Sequence, residues 1–341
     1  MKCRATLLAF PVAVFLTACS MDDSRITGVP GRADLAVTPI NPNGYTATVL
    51  RIDRPFAMND AGAVVGVRNN DPSSGYYQSG STLVALPMIN GAKSVVPLDI
   101  NNQGQITGWI WDAYNRIVAV YWPSYRSMPY AIGDLGGGFS AAHALNDSGY
   151  VVGVSGTPAG SNHAFLWRAG SILGNISPSY PGTWATGINA RGDVSGGTTV
   201  NGVTIPYARR DGTNSRLATR PGVSGIGVTP AGSVILSSGE YWLRSGAITR
   251  PHPSNYFPVK VSLSGRVAGY SSATVNGVEV RTVTTRHAGV ILSLRTALEA
   301  SSEAIDVTTC GTVLARVTAP NGTVSGVLWT KSTCDTAAPI P

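Results

Sequence analysis

The residues able to move protons, hold metals or form covalent intermediates are few in this chain: four histidines, eighteen carboxylates and four cysteines among 341 residues. His143, His163, His252 and His287 lack the His-Glu-x-x-His spacing that sets two imidazoles on one helix face for zinc. Ser155-Gly156 and Ser237-Ser238-Gly239 fall short of the Gly-x-Ser-x-Gly nucleophile elbow, and Gly136-Gly137-Gly138 lacks the strand-to-helix context of a phosphate cradle. No metal and no cofactor is expected. One acid–base sketch remains, in which His143 meets Asp112 or Asp134 at a central channel, because a His–carboxylate pair can exchange a proton near neutral pH. Cys3 falls in an apolar leader and Cys19 directly follows it, which leaves Cys310 and Cys334 as a pair 24 residues apart. In an oxidising compartment they are expected to bond, stabilising by about 3 kcal/mol through loop closure.

A second group of residues could bind without reacting. Trp109, Trp111, Tyr114, Trp184 and Tyr256 fall in stretches where the chain departs from its own repetition. Exposed aromatics favour interfaces, so these rings could form a platform for a carbohydrate, a peptide or a protein partner. They could equally plug gaps between sheets.

Positioning any of these residues falls to a repeated phrase: an apolar residue, usually Asn, two small or polar residues, Gly, and a β-prone run. It reads Met58-Asn59-Asp60-Ala61-Gly62, Ile100-Asn101-Asn102-Gln103-Gly104, Leu145-Asn146-Asp147-Ser148-Gly149 and Ile188-Asn189-Ala190-Arg191-Gly192, with degenerate copies ending at Gly232, Gly265 and Gly311. Copies 33 to 46 residues apart leave room for four short strands each. In the third unit these are expected at 141–145, 150–154, 163–167 and 171–176. Asn caps its own turn and Gly takes positive φ, so the phrase is a hairpin loop and its Asn and Asp are structural. An aromatic recurs in each third strand except the sixth, where Val283 stands, and is expected to pack between sheets.

Seven four-stranded units predict an all-β, seven-bladed β-propeller. The seventh unit runs out after three strands, while 46–52 (TATVLRI) is a spare strand at the other end. That strand is expected to complete and close the last blade, removing a sheet edge. In such a ring the Asn-x-x-Gly turns share one end, and the longer loops, including 68–75, 109–114, 180–184 and 255–257, share the other.

The remaining segments set a location. Residues 1–18 read as a signal peptide, with Lys2 and Arg4 ahead of an apolar run too short to span a bilayer. Leu16-Thr17-Ala18-Cys19 resembles the lipobox of bacterial lipoproteins. That resemblance implies lipidation at Cys19, a membrane partner through the anchor, and residence at the bacterial outer membrane or cell surface. Residues 19–45 read as a flexible tether, 46–335 as the propeller and 336–341 as a tail. Charged residues are 13% of the chain, with 40 Gly and 22 Pro, as suits many turns. The formal charge of +7, or +5 without Lys2 and Arg4, is scattered, so no nucleic-acid partner is expected. The chain is expected to be a monomer.

The phrases resemble the HAF repeat of bacterial extracellular proteins, best at Ala144-Leu145-Asn146-Asp147-Ser148-Gly149-Tyr150-Val151-Val152-Gly153, His163-Ala164-Phe165-Leu166-Trp167 and Asp134-Leu135-Gly136. The resemblance implies a surface or periplasmic repeat protein and brings no catalytic residues. Two functions follow: a lipid-anchored, non-catalytic binding protein with its ligand on the long loops, or a propeller hydrolase or lyase acting on extracellular polymer at the channel.

Overall fold

The computed structural model describes residues 39–40, 44–262, 264–275, 278–287, 290–296, 301–331 and 334. The expected leader 1–18, the lipidation site Cys19, tail 336–341 and most of the expected tether lie outside them. The described residues form seven antiparallel sheets with four strands each in blade order, and the sixth gains a fifth strand. Their innermost strands are Arg54–Met58, Ser94–Ile100, Ser140–Leu145, Thr183–Ile188, Gly225–Val228, Tyr256–Val261 and Ser301–Val307. Each packs beside the next and the seventh returns to the first, so the fold is a seven-bladed β-propeller.

The spare strand closes the ring as expected. Tyr45–Val49 pairs with Val324–Lys331 as the outermost strand of the last blade. The Tyr45 hydroxyl donates to Gly311 O at 3.1 Å, and Cys310 and Cys334 are bonded on the same end of the ring. The tether reading is corrected at its end: Pro39–Ile40 pairs with Arg295 and Thr296 as the fifth strand of the sixth blade, because that edge has open backbone groups to satisfy. In the third blade the strands fall at Ser140–Leu145, Tyr150–Gly156, Asn162–Arg168 and Gly174–Asn175, so only the fourth is much shorter than expected.

The third-strand aromatics are core. Trp122, Phe165, Tyr207 and Trp329 are fully buried, and so is Val283 in the blade that lacks an aromatic. They join neighbouring sheets: Tyr121 of the second blade packs with Ala142, Phe165 and Trp167 of the third.

Each Asn of the phrase does more than cap its turn. Asn146 Oδ1 accepts the Ser148 and Tyr150 N–H groups, while its Nδ2 reaches the next blade and donates to Asn189 O at 2.9 Å. Asn59, Asn101 and Asn189 make the same outward donation to Asn101 O, Asn146 O and Thr229 O. In the degenerate copies Thr229, Ser262 and Thr308 cap the turn through a hydroxyl oxygen. The amide chain across blades therefore runs from the first to the fifth.

Every innermost strand carries a bulge just before the phrase, at Phe56, Leu98, His143, Thr186, Ile226, Val259 and Ile305. The bulge presses a carbonyl onto the second strand. In five blades that spot is glycine: a Cβ on Gly66, Gly108, Gly153, Gly196 or Gly269 would overlap the carbonyl oxygen of Arg54, Val96, Ala141, Trp184 or Phe257.

Candidate functional site

The residue after each bulge reads, in blade order, Ala57, Asp99, Ala144, Gly187, Gly227, Lys260 and Asp306. Four blades hold Ala or Gly there; three hold charge. Those three meet on the inner wall: Lys260 Nζ lies 3.6 Å from Asp99 Oδ1 and 4.0 Å from Asp306 Oδ2. The carboxylates are nearly sealed, with 9% and 5% of their side-chain surface exposed, whereas Lys260 keeps 35%. Asp99 also accepts the Leu145 N–H of the third blade at 2.9 Å, and Asp306 the Met58 N–H of the first at 2.9 Å. Burial pushes the Asp306 carboxyl up, Lys260 pulls it down and Asp99 pushes it up again, leaving it at about 6. Burial acts to lower the Lys260 pKa, but Asp306 and then Asp99 outweigh it and hold it above the ordinary value. One cation thus serves two buried carboxylates, one in the second blade and one in the seventh. Sequence reasoning missed this cluster; the signal was charge at a position otherwise small.

The expected acid–base group does not assemble, and its three members are corrected to local roles. His143 is a bulge residue whose Nδ1 donates to Ala185 O at 2.7 Å; burial lowers its pKa more than that bond raises it. Asp112 caps its own turn, accepting the Tyr114 and Arg116 N–H groups at 2.8 Å each, and pairs with the Arg116 guanidinium at 2.8 Å. The Arg116 backbone bond heads the causes that lower its pKa. Asp134 closes the glycine loop by accepting from Gly136 and Gly138 N–H. No hydrogen bond or ion pair joins any two of the three among the described residues.

The aromatic platform is corrected in the same way for three of its five members. Tyr256 is 1% exposed and packs against His252 with ring centroids 4.6 Å apart. Trp109 and Trp184 are 9% exposed, and the Trp184 indole lies where a Cβ on Gly197 would be, so it is set into the blade rather than offered to solvent. These positions are hydrophobic plugs. Trp111 is half-buried and joins one apolar cluster with Phe56, Leu98 and Phe139, also half-buried, above Trp109 and Trp184. Tyr114, 79% exposed, stands beside it with the Arg116 guanidinium 5.3 Å from its ring. Phe139, Trp111 and Trp184 lie at the strand ends opposite the Asn turns, whereas Phe56 and Leu98 are bulge residues near those turns, so the cluster runs from the loop end down along the innermost strands.

The loop end also holds a cleft of about 470 Å³ where the sixth, seventh and first blades meet. Its walls include Arg54, Arg281 and Arg316 together with Glu279 and Glu303. Nothing in the sequence reading pointed to it, because its residues come from five strands of three blades.

No family model and no curated protein matches the chain. Solved structures do. A puromycin hydrolase superposes with a TM-score of 0.58 at 11% identity, over 84% of this chain and 55% of that one. The likeness is one of fold. YCF48 bound to D1 peptide matches with a TM-score of 0.49 at 12% identity, over 89% of this chain and all of that one. TolB from Acinetobacter baumannii matches with 0.42 at 12% identity, over 69% of this chain and 66% of that one. The chain spans about half of the puromycin hydrolase and two thirds of that TolB.

Proposed function

We propose that this chain is a lipid-anchored β-propeller of the HAF-repeat kind, held at the bacterial outer membrane or cell surface, which binds a partner on its loop end. The observation that carries the reading is the partly buried apolar cluster of Phe56, Leu98, Trp111 and Phe139, drawn from three blades, with exposed Tyr114 three residues after Trp111. A contiguous apolar patch on an otherwise polar surface marks a place where another molecule sits, and loops on a rigid scaffold are its usual seat. The Cys310–Cys334 disulfide supports an oxidising compartment, as an exported protein requires. The charged residues of the ring's inner wall are already engaged in joining blades, through Asp99 to Leu145 and Asp306 to Met58, which favours binding over the channel-enzyme alternative.

The test is an array of glycans and peptides probed with the parent and with Trp111→Ala and Tyr114→Ala. A ligand bound by the parent and lost in Trp111→Ala supports the loop-end site. Binding unchanged in both variants would refute it. For the anchor, Cys19→Ala should release the protein from membranes in its native host, and its retention there would remove the lipidation claim.

A further inference from the structure

We infer that the loop-end cleft between the sixth, seventh and first blades binds an acidic peptide segment; this rests on the loop-end binding reading and gives its ligand a chemical class. Arg281 reaches the cleft from the third strand of the sixth blade, Arg316 from the second strand of the seventh, and Arg54 from the start of the first blade's innermost strand. Three guanidiniums face two carboxylates. Glu303 is divided between Arg316, 3.1 Å away, and Arg281, 3.9 Å away, through different oxygens. Glu279 accepts from Arg281 Nε at 3.2 Å and from the Ser272 hydroxyl at 2.9 Å. Arg54 donates its Nε to Asn69 Oδ1 at 3.1 Å and has no carboxylate partner among the described residues. Arg316 Nε is buried and has no acceptor among the described residues.

The donor count sets the chemistry. Each guanidinium carries five N–H donors in a planar fork, and two shared carboxylates leave many of them open. The open N–H groups of the exposed Arg54 and the partly exposed Arg281 suit an incoming carboxylate, since its two oxygens match the guanidinium fork. The surplus of one positive charge suits a singly charged carboxylate; the second charge of a phosphate would meet Glu279 and Glu303. The walls carry no aromatic ring on which a sugar could lie, and Thr318 offers a hydroxyl for a peptide amide. The cleft is open to solvent, and its volume of about 470 Å³ is large enough for several residues of an extended peptide.

The experiment is fluorescence anisotropy at low salt with a labelled octapeptide of alternating Gly and Glu. An octapeptide of alternating Gly and Gln and an oligogalacturonate serve as comparison ligands. The acidic peptide should bind saturably and at least tenfold more tightly than the neutral one. Arg316→Gln and Arg54→Gln should each weaken it about tenfold. Glu303→Gln, which frees Arg316 and relieves Arg281 of one of its two carboxylates, should strengthen it about threefold, an effect of opposite sign that a merely destabilised cleft would not produce. Arg54 is exposed, so its variant keeps the test open if Arg316→Gln folds poorly. The inference is overturned by equal binding of the two peptides, by acidic-peptide affinity indifferent to Arg54→Gln, or by oligogalacturonate binding more tightly than the peptide. If array ligands are bound and are lost in Trp111→Ala while the acidic peptide is ignored, the loop-end reading stands and only the ligand class falls.

Discussion

Lys260→Met removes the one cation between Asp99 and Asp306 and keeps most of the side chain's bulk. Both carboxylates stay where they are, with 9% and 5% of their surfaces exposed and backbone N–H groups of neighbouring blades fixed upon them. Breaking a buried ionic group from one side costs about 3–5 kcal/mol, because the remaining charge is uncompensated. At about 2–3 °C per kcal/mol for a fold of this size, the melting temperature at pH 8 should fall by about 6–15 °C. The pH dependence has a definite sign. Asp306 has an ordinary value of 3.8 and stands at about 6 in the folded protein even with Lys260 present. A carboxyl raised by folding favours the fold fully below its unfolded pKa, and that contribution is lost as pH climbs through about 6. Removing Lys260 removes the influence that lowers it, so the variant holds this proton to higher pH and regains stability on acidification. Calorimetry of the parent, Lys260→Met and the charge-keeping Lys260→Arg at pH 8 and pH 5 should show a gap that narrows at pH 5 for Met and stays small for Arg. A gap of equal size at both pH values, or a Met variant as stable as the parent at pH 8, would refute the picture of two sealed carboxylates sharing one cation.

Three further outcomes follow from the ring's construction. Gly153→Ala places a methyl group into Ala141 O and against Phe165, a backbone collision that cannot relax, and should cost about 2–3 kcal/mol in chemical denaturation; Gly174→Ala, whose Cβ meets only Leu166 O at 3.5 Å, should be near neutral. Cys334→Ser should destabilise by about 3 kcal/mol, and an unchanged midpoint in reductant would count against any contribution from this bond. A chain shortened to begin at Leu50 lacks the outermost strand of the last blade, Tyr45–Val49, and should unfold over a broader temperature range; a transition as sharp as the parent's would deny that strand its closing role.

Placing the site depended on different information from placing the fold. Phe56, Leu98, Trp111 and Phe139 come from three blades yet form one cluster, and the sequence alone drew only Trp111 of these into a binding set. Trp184 and Tyr256 show the converse: they break the repeat, as ligand-binding residues do, but they break it to fill space left by Gly197 and by the gap beside His252. Spacing records that a residue is large and out of pattern. It does not record on which side of a strand that bulk finds room.

By itself the sequence determined the number of blades, the four-strand unit and the closing of the last blade by an N-terminal strand. These depend on local turn chemistry: Asn146 caps its turn and Gly149 takes a φ of 77° within five residues of chain, and the same short-range logic repeats along the protein. Tertiary structure alone decided what the turns and bulges accomplish together. The Asn amides become links between blades, the glycines of the second strands become seats for a carbonyl of the bulged innermost strand beside them, and Asp99, Lys260 and Asp306, up to 207 residues apart, become one cluster. The physical reason is that closing the ring brings equivalent positions of distant units to one wall, so a charge that is isolated along the chain acquires partners only when the seventh blade meets the first.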